Sequence, residues 1–173
     1  MRRNWFILVV MIMAVLAVDQ ATKRLVIDNL DLYQSVVPIP ALHPYFQFTH
    51  VANTGAAFGL LQGAGGIFMI IAPLVVLALL YFYPRATTWP SRIAIGLICG
   101  GALGNVLDRI AYGHVVDFIH YQIPNLVSNV SNLADHAVVL GVIVIFIDSW
   151  RTDLTQTPAA EAATTPPDEN IPG

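Results

Sequence analysis

Four long apolar runs dominate this sequence, at residues 5–18, 67–83, 93–107 and 137–147. A helix needs about 20 residues to cross a bilayer, so the first, third and fourth runs are long enough only if they include polar neighbours. Those neighbours are Asp19, Asp108 with Arg109, and Asp135. The chain is 56% hydrophobic and only 11% charged, unlike a soluble domain. We therefore expect an all-α polytopic membrane protein with four transmembrane helices.

The arginines that flank the runs all fall on one side of the predicted bundle. They are Arg2, Arg3, Arg85, Arg92 and Arg151. By the positive-inside rule, both termini are cytoplasmic, and the segments at about 27–66 and 113–131 lie outside. The alternative for the first run is a cleaved signal peptide, which would leave three spans.

The first outer segment contains a predicted strand. In residues 45–51, Phe46, Phe48 and His50 fall on one face and Gln47 and Thr49 on the other, so we expect a small sheet at the membrane surface. Residues 53–59 are predicted to form a loop whose backbone approaches another group closely. The resulting domain covers residues 1–152, with a β-rich outer loop at about 28–66. Residues 153–173 are predicted to be a disordered cytoplasmic tail.

Asp117 and Asp135 are the acids that most need an explanation, because both lie at the edges of apolar runs. Carboxylates at membrane depth are rare and usually face a protein interior or a water-filled site. The alternatives are that Asp135 only favours a helix dipole and that Asp117 is a loop acid in water. The predicted topology puts both acids at the outer face, which suggests a pair.

A second polar group follows a strip of glycines on the third run. Gly96, Gly100 and Gly104 recur every four residues, a spacing that lets another helix approach closely. The strip leads into side chains that can share one helix face, namely Asn105, Asp108, Arg109 and Tyr112. Alternatively, Arg109 only reaches for lipid head groups and Asp108 only pairs with it. On the first run, Asp19 and Lys23 are four residues apart and could form a simple intrahelical pair.

Several kinds of catalysis lack their motifs. The only glutamates are Glu161 and Glu169 in the tail, and no His-Glu-x-x-His or Gly-x-Ser-x-Gly occurs. The single cysteine, Cys99, lies mid-run, away from any histidine. The alternative of a metal site would use the histidines near the two acids. They are His114, His120 and His136, and their spacing matches no known motif.

Two adjacent carboxylates would suit peptide hydrolysis through water. They cannot easily both ionise, so one keeps a proton while the other is charged. The ionised member takes a proton from water and the protonated member polarises the carbonyl oxygen. A coupled pair titrates as a unit, so the sequence does not assign the starting base.

The motifs taken together resemble those of the bacterial lipoprotein signal peptidase (signal peptidase II) family, over nearly everything before the tail. They are Asp19-Gln20 with Lys23, Asn53-Thr54-Gly55-Ala56-Ala57-Phe58-Gly59, Gly100-Gly101-Ala102-Leu103-Gly104-Asn105 with Asp108-Arg109, Val115-Val116-Asp117-Phe118, and Asn132-Leu133-Ala134-Asp135. One position departs from the family pattern, because Ser131 stands where an aromatic residue usually precedes the asparagine. This departure puts the packing around Asn132 in doubt.

The resemblance implies a fold and an activity. The fold would be four transmembrane helices with a small extracytoplasmic β cradle, in the bacterial inner membrane. The activity would be that of an aspartic endopeptidase whose catalytic dyad is Asp117 and Asp135, near the outer leaflet. The supporting residues would be Asp19, Lys23, Asn53, Gly55, Asn105, Asp108, Arg109 and Asn132. The substrates would be diacylglyceryl prolipoproteins, cut just before the lipid-bearing cysteine.

The expected partners are these substrates and membrane lipids, with no nucleic acid, no metal and no organic cofactor, and the chain is expected to be a monomer. Two other classes of function remain open. A small proton or ion carrier would use the same acids as a relay. A noncatalytic lipid-binding or scaffold protein would depend on the glycine strip and tolerate replacement of both aspartates.

Overall fold

The computed structural model describes residues 2–55 and 65–163. Within those ranges it contains the four expected helices: α1 (Arg2–Asn29), α2 (Gly65–Phe82), α3 (Trp89–Tyr112) and α4 (Leu133–Ala163). Each is long and apolar enough to cross a membrane. As predicted, α1, α3 and α4 reach that length by including Asp19, Asp108 and Asp135.

Helix α4 continues beyond residue 152, where the sequence indicated the end of the domain. Residues 153–163, assigned above to a disordered tail, extend the helix to Ala163. The alanines at its end favour helix locally. Residues 164–173 lie outside the described residues.

Helix α3 is the centre of the bundle and packs against the other three helices. Its glycines permit this close packing. A Cβ placed on Gly100 would lie 2.7 Å from the Val15 Cβ of α1, and one placed on Gly101 would lie 2.3 Å from the Ala134 carbonyl oxygen of α4. Both distances are too short for real atoms, so any side chain at either position would force the helices apart. The predicted packing strip therefore sets the spacing of α1 and α3, whereas Gly101, which is not part of that strip, sets the spacing of α3 and α4.

At one end of the bundle lies a four-stranded antiparallel sheet in the order β1-β2-β3-β4. Its strands are β1 (Ser35–Val36), β2 (Phe46–Asn53), β3 (Val115–Ile123) and β4 (Val127–Ser131). The predicted strand in the first outer segment is confirmed as β2. The second outer segment, which was expected to be a loop, supplies β3 and β4. Its β-branched and aromatic residues explain this difference.

Two details of this sheet position the site. Asn53, predicted to lie in a loop, is the last residue of β2, and residues 56–59 of the same motif lie outside the described residues. Gly113 ends α3 with φ of 78°, a left-handed conformation that suits glycine, and its N–H donates to the Arg109 carbonyl at 3.0 Å. The chain then enters β3 directly, so Asp117 follows closely after the end of α3.

Candidate active site

Helix α4 begins with a reciprocal cap that fixes Asp135. The backbone N–H of Asp135 donates to Asn132 Oδ1 at 3.0 Å, and the backbone N–H of Asn132 donates to Asp135 Oδ2 at 3.4 Å. This is the geometry of a capping box. The Asp135 carboxylate is consequently held in the first turn, where the helix dipole favours negative charge.

Asp117 lies on β3 and is almost completely buried, with 1% of its surface exposed. Asn53 donates to its Oδ2 at 2.7 Å and Asn132 donates to its Oδ1 at 2.6 Å. The alternative of a loop acid in water is therefore wrong. Burial, reinforced by the nearby charge of Asp135, raises the pKa of Asp117 to about 7.

Asn105 and Asn132 connect the two acids. Asn105 Nδ2 donates to Asp135 Oδ1 at 2.7 Å, and Asn132 Nδ2 donates to Asn105 Oδ1 at 3.1 Å in addition to its bond with Asp117. Both carboxylates line one cleft of about 220 Å³. The other lining residues are Asn53, Gly55, Phe68, Ala72, Ala102, Asn105, Arg109 and Val115. The structure thus brings together the two acids that the sequence suggested as a pair.

A buried ionic network lies behind the cleft. Lys23 Nζ is 2.9 Å from Asp19 Oδ2 and 2.7 Å from Asp108 Oδ2, and all three side chains are at most 2% exposed. The alternative in which Asp108 pairs with Arg109 is wrong, because Asp108 faces α1. Gln20 also donates to Asp108, at 2.8 Å. The Asp19–Lys23 pair exists, but as part of a network of three charges.

Both acids of this network also hold backbone that carries the site. Asp19 Oδ1 accepts the N–H of Ala134 at 3.0 Å, and Asp108 Oδ2 accepts the N–H of Val116 at 3.1 Å. These bonds tie α1 and α3 to the residues adjacent to Asp135 and Asp117. Asp19 and Asp108 therefore support the cleft without lining it.

Arg109 lies in the cleft, and the alternative that it only reaches for head groups is wrong. Its Nη2 donates to the Gly55 carbonyl at 3.0 Å, and its guanidinium lies 5.3 Å from the centre of the Phe68 ring. The N–H of Gly55 in turn donates to Asn53 Oδ1 at 2.9 Å, which directs the Asn53 Nδ2 toward Asp117. Tyr112, predicted on the same helix face, is exposed outside the cleft.

The histidines near the acids have other partners. His120 contacts Gln47, Thr49 and Ser128, and His136 Nδ1 lies 2.6 Å from the Asn132 carbonyl oxygen. Among residues 2–55 and 65–163, no three histidine, cysteine, aspartate or glutamate side chains converge as metal ligands.

Ser131 leaves Asn132 well packed. Ser131 is 8% exposed at the end of β4, opposite Ile119, and Asn132 is fully buried with its amide hydrogen-bonded on both sides. The structure gives no sign that the missing aromatic residue disturbs Asn132.

The apolar side of the cleft was not predicted from the sequence. Phe68 and Ala72 of α2 and Ala102 of α3 line it. No sequence signal distinguishes these residues from other apolar positions of a membrane helix. Gln20 was not predicted as a site residue and appeared only beside Asp19 in a motif. Its polar side chain within an apolar helix was nevertheless a detectable signal.

Four apolar helices and two hydrogen-bonded carboxylates on one cleft, one buried and one partly exposed, define the class: a multi-pass membrane protein with a paired-aspartate site. Residues 11–151 match the family model described as signal peptidase (SPase) II. The chain therefore belongs to the signal peptidase II family and is a peptidase, as its motifs predicted.

Individual relatives agree with this assignment. The lipoprotein signal peptidase of Halothermothrix orenii is 36% identical over 145 residues, covering 83% of this chain and 95% of that protein. The lipoprotein signal peptidase of Bacillus subtilis is 40% identical over 135 residues, covering 77% and 86%. A bacterial membrane enzyme solved by the in meso method at 2.3 Å superposes with a TM-score of 0.78 at 32% identity, covering 86% of this chain and 90% of that one.

Proposed function

We propose that this protein removes the signal peptide from diacylglyceryl prolipoproteins by cutting before the lipid-bearing cysteine. The observation that carries the proposal is the cleft shared by Asp117 and Asp135, in which asparagine side chains link the two carboxylates. The names of the relatives support the substrate class, since they are lipoprotein signal peptidases.

In this proposal the two aspartates activate a water. The ionised member takes a proton from the water as it attacks the scissile carbonyl, and the protonated member polarises the carbonyl oxygen. The roles then reverse so that the amine can leave. The raised pKa of Asp117 supports this chemistry, because a carboxyl with a pKa of about 7 can hold a proton near neutral pH.

The flanking arginines support a position in the bacterial inner membrane with both termini cytoplasmic, which puts the cleft near the outer leaflet. The cleft has an apolar side formed by Phe68, Ala72 and Ala102 and a polar side formed by the acids and amides. A lipid-anchored peptide would enter the cleft laterally from the bilayer, and its acyl chains would remain among the membrane lipids. The enzyme would act as a monomer.

The test is cleavage by the purified protein in liposomes. A diacylglyceryl prolipoprotein should be cut before its modified cysteine, and the same precursor without diacylglycerol should be cut far more slowly. The control is proton flux across the same liposomes. Flux driven by a pH gradient without any cleavage would favour the carrier and overturn the proposal.

The raised pKa of Asp117 predicts a pH dependence. Above about pH 7 this carboxyl loses the proton that the mechanism needs, so kcat/KM should fall, approaching tenfold per pH unit. The measurement is the initial rate at low substrate concentration from pH 5 to 9 in liposomes. A rate that stayed constant from pH 6 to 9 would contradict a proton-holding role for Asp117.

A further inference from the structure

The orientation of the Asn105 amide is fixed by its neighbours. Lys23 Nζ lies 3.0 Å from one amide atom, and an ammonium only donates, so that atom must be the oxygen Oδ1. The other amide atom, Nδ2, then faces Asp135 Oδ1 at 2.7 Å and donates to it. If the amide were flipped, its NH₂ group would face the Lys23 ammonium and its oxygen would face the Asp135 carboxylate, and neither contact could form a hydrogen bond.

Lys23 is itself held in place. Its ammonium has three N–H groups and three acceptors, at 2.9 Å on Asp19, 2.7 Å on Asp108 and 3.0 Å on Asn105. The side chain is 2% exposed, so water does not compete for these bonds. The ammonium therefore holds the Asn105 amide in one orientation.

The two acids of the pair have different surroundings. Asp135 lies in the first turn of α4, with a fixed amide donor and a partly exposed side chain, and both features favour negative charge. Asp117 also accepts two amide bonds, but it is 1% exposed on a strand. For Asp117 burial outweighs the bonds, because its pKa is raised.

We propose that Lys23 is a positioning residue which acts through Asn105 to keep Asp135 as the ionised member of the pair. This rests on the proposed function. Asp135 then takes a proton from the water, whose oxygen bonds to the scissile carbon, while the Asp117 proton passes to the carbonyl oxygen. In the second half, the C–N bond breaks, the leaving nitrogen takes the proton from Asp135, and a hydroxyl of the intermediate returns a proton to Asp117.

Other charged groups face Asp135, and they do not create this asymmetry. Arg109 of α3 interacts with both acids. Asp19 and Asp108 are paired with Lys23. On α4 itself, His136 is directed at the Asn132 carbonyl. The charge of Lys23 also favours the ionised form of Asp117, but only as the last of the contributions to that pKa. The directed hydrogen bonds of Lys23 through Asn105 lead to Asp135.

The first test is Asn105→Asp. This substitution keeps an oxygen for Lys23 but removes the N–H that Asp135 accepts, so the ionised base is disfavoured. The acid limb of the pH profile of kcat/KM should move to higher pH by about one pH unit. At pH values below the midpoint of this limb, kcat/KM should therefore be roughly tenfold lower than in the wild type. Activity should recover as the pH rises toward about 7, above which loss of the Asp117 proton lowers the rate again.

The second test is the double variant Lys23→Met with Asp108→Asn, which leaves the net charge of the buried network unchanged. It should move the acid limb in the same direction, and adding Asn105→Asp should move it no further, because both changes act through one amide. The control is Asp28→Asn, a change at an acid of α1 that is 48% exposed and outside the cleft, which should keep the midpoint of the acid limb. If the Lys23→Met variant does not fold, Asn105→Asp decides alone.

An unchanged acid limb in a folded Asn105→Asp variant would overturn the inference. Loss of activity at every pH would also overturn it, because a defect limited to the ionisation of Asp135 is relieved when the pH is raised. The proposed function fails differently, namely if Asp135→Asn still cleaves the prolipoprotein. The two failures are therefore distinguishable.

Discussion

Asp117→Asn is expected to leave a folded protein that no longer cleaves a diacylglyceryl prolipoprotein, with kcat reduced by about 10²–10⁴-fold or more. An asparagine has nearly the same shape but neither accepts a proton from water nor donates an acidic one to the carbonyl. Asp135→Asn should have the same effect. Full activity in either variant would contradict the proposed mechanism.

Folding should survive because the substitution removes a buried group whose charge the structure disfavours. The raised pKa of Asp117 means that its contribution to stability is fully present below about pH 4 and is lost as the pH rises through about 7. Asp117→Asn should therefore remove this part of the decline in Tm between those pH values. Thermal unfolding in detergent across that range measures it.

The matched control is Asp28→Asn. Asp28 lies on α1 and pairs with Arg24 at 3.1 Å, but its side chain is 48% exposed and does not line the cleft. An exposed ion pair contributes little, so both cleavage and Tm should stay close to wild type. A similar loss of activity in this variant would point to a general effect of charge.

Gly101→Ala should be the most damaging change outside the acids. The new Cβ would lie 2.3 Å from the Ala134 carbonyl oxygen, a backbone atom that moves only if α4 moves. Overpacking of this kind costs about 1–3 kcal/mol. Because Ala134 precedes Asp135, the acid would be displaced as well, and a shift of about 1 Å can reduce a rate by about 10²-fold. Tm and kcat should therefore fall together.

Gly66→Ala is the control for this prediction. Gly66 also lies in a helix, but a Cβ placed on it meets nothing within 4 Å. Alanine is the better helix former, so the free energy of unfolding should change by less than about 1 kcal/mol. A Gly101→Ala variant as stable and active as Gly66→Ala would show that the close approach of α3 and α4 does not hold the site.

Much of the fold could be predicted because a bilayer imposes length and hydrophobicity on each span. The four helices and their inclusion of Asp19, Asp108 and Asp135 followed from that constraint. Strand β3 was missed because its partner β2 is more than 60 residues away in the sequence, and no local pattern announces that pairing. Strand β4 was missed with it, because β4 joins the sheet only by pairing with β3. The same pairing places Asn53 beside Asp117.

Within the site, residue types were easier to predict than partners. The sequence selected Asp108 and Arg109 but left open that they bind each other. A helical step of one residue turns them to different sides, so Asp108 contacts Lys23 and Arg109 contacts Gly55. The spacing of residues in a sequence predicts which side chains share a face of a helix. It does not predict which other element packs against that face.

The sequence by itself determined a four-span membrane protein with two acids too costly to be incidental, because water-free surroundings penalise each charge wherever it lies. Only the tertiary structure decided how those charges are compensated. Hydrogen bonds are directional and short, so a chain from Lys23 through Asn105 to Asp135, and from Asn132 to Asp117, forms only when α1, α3, α4 and β3 meet at one point.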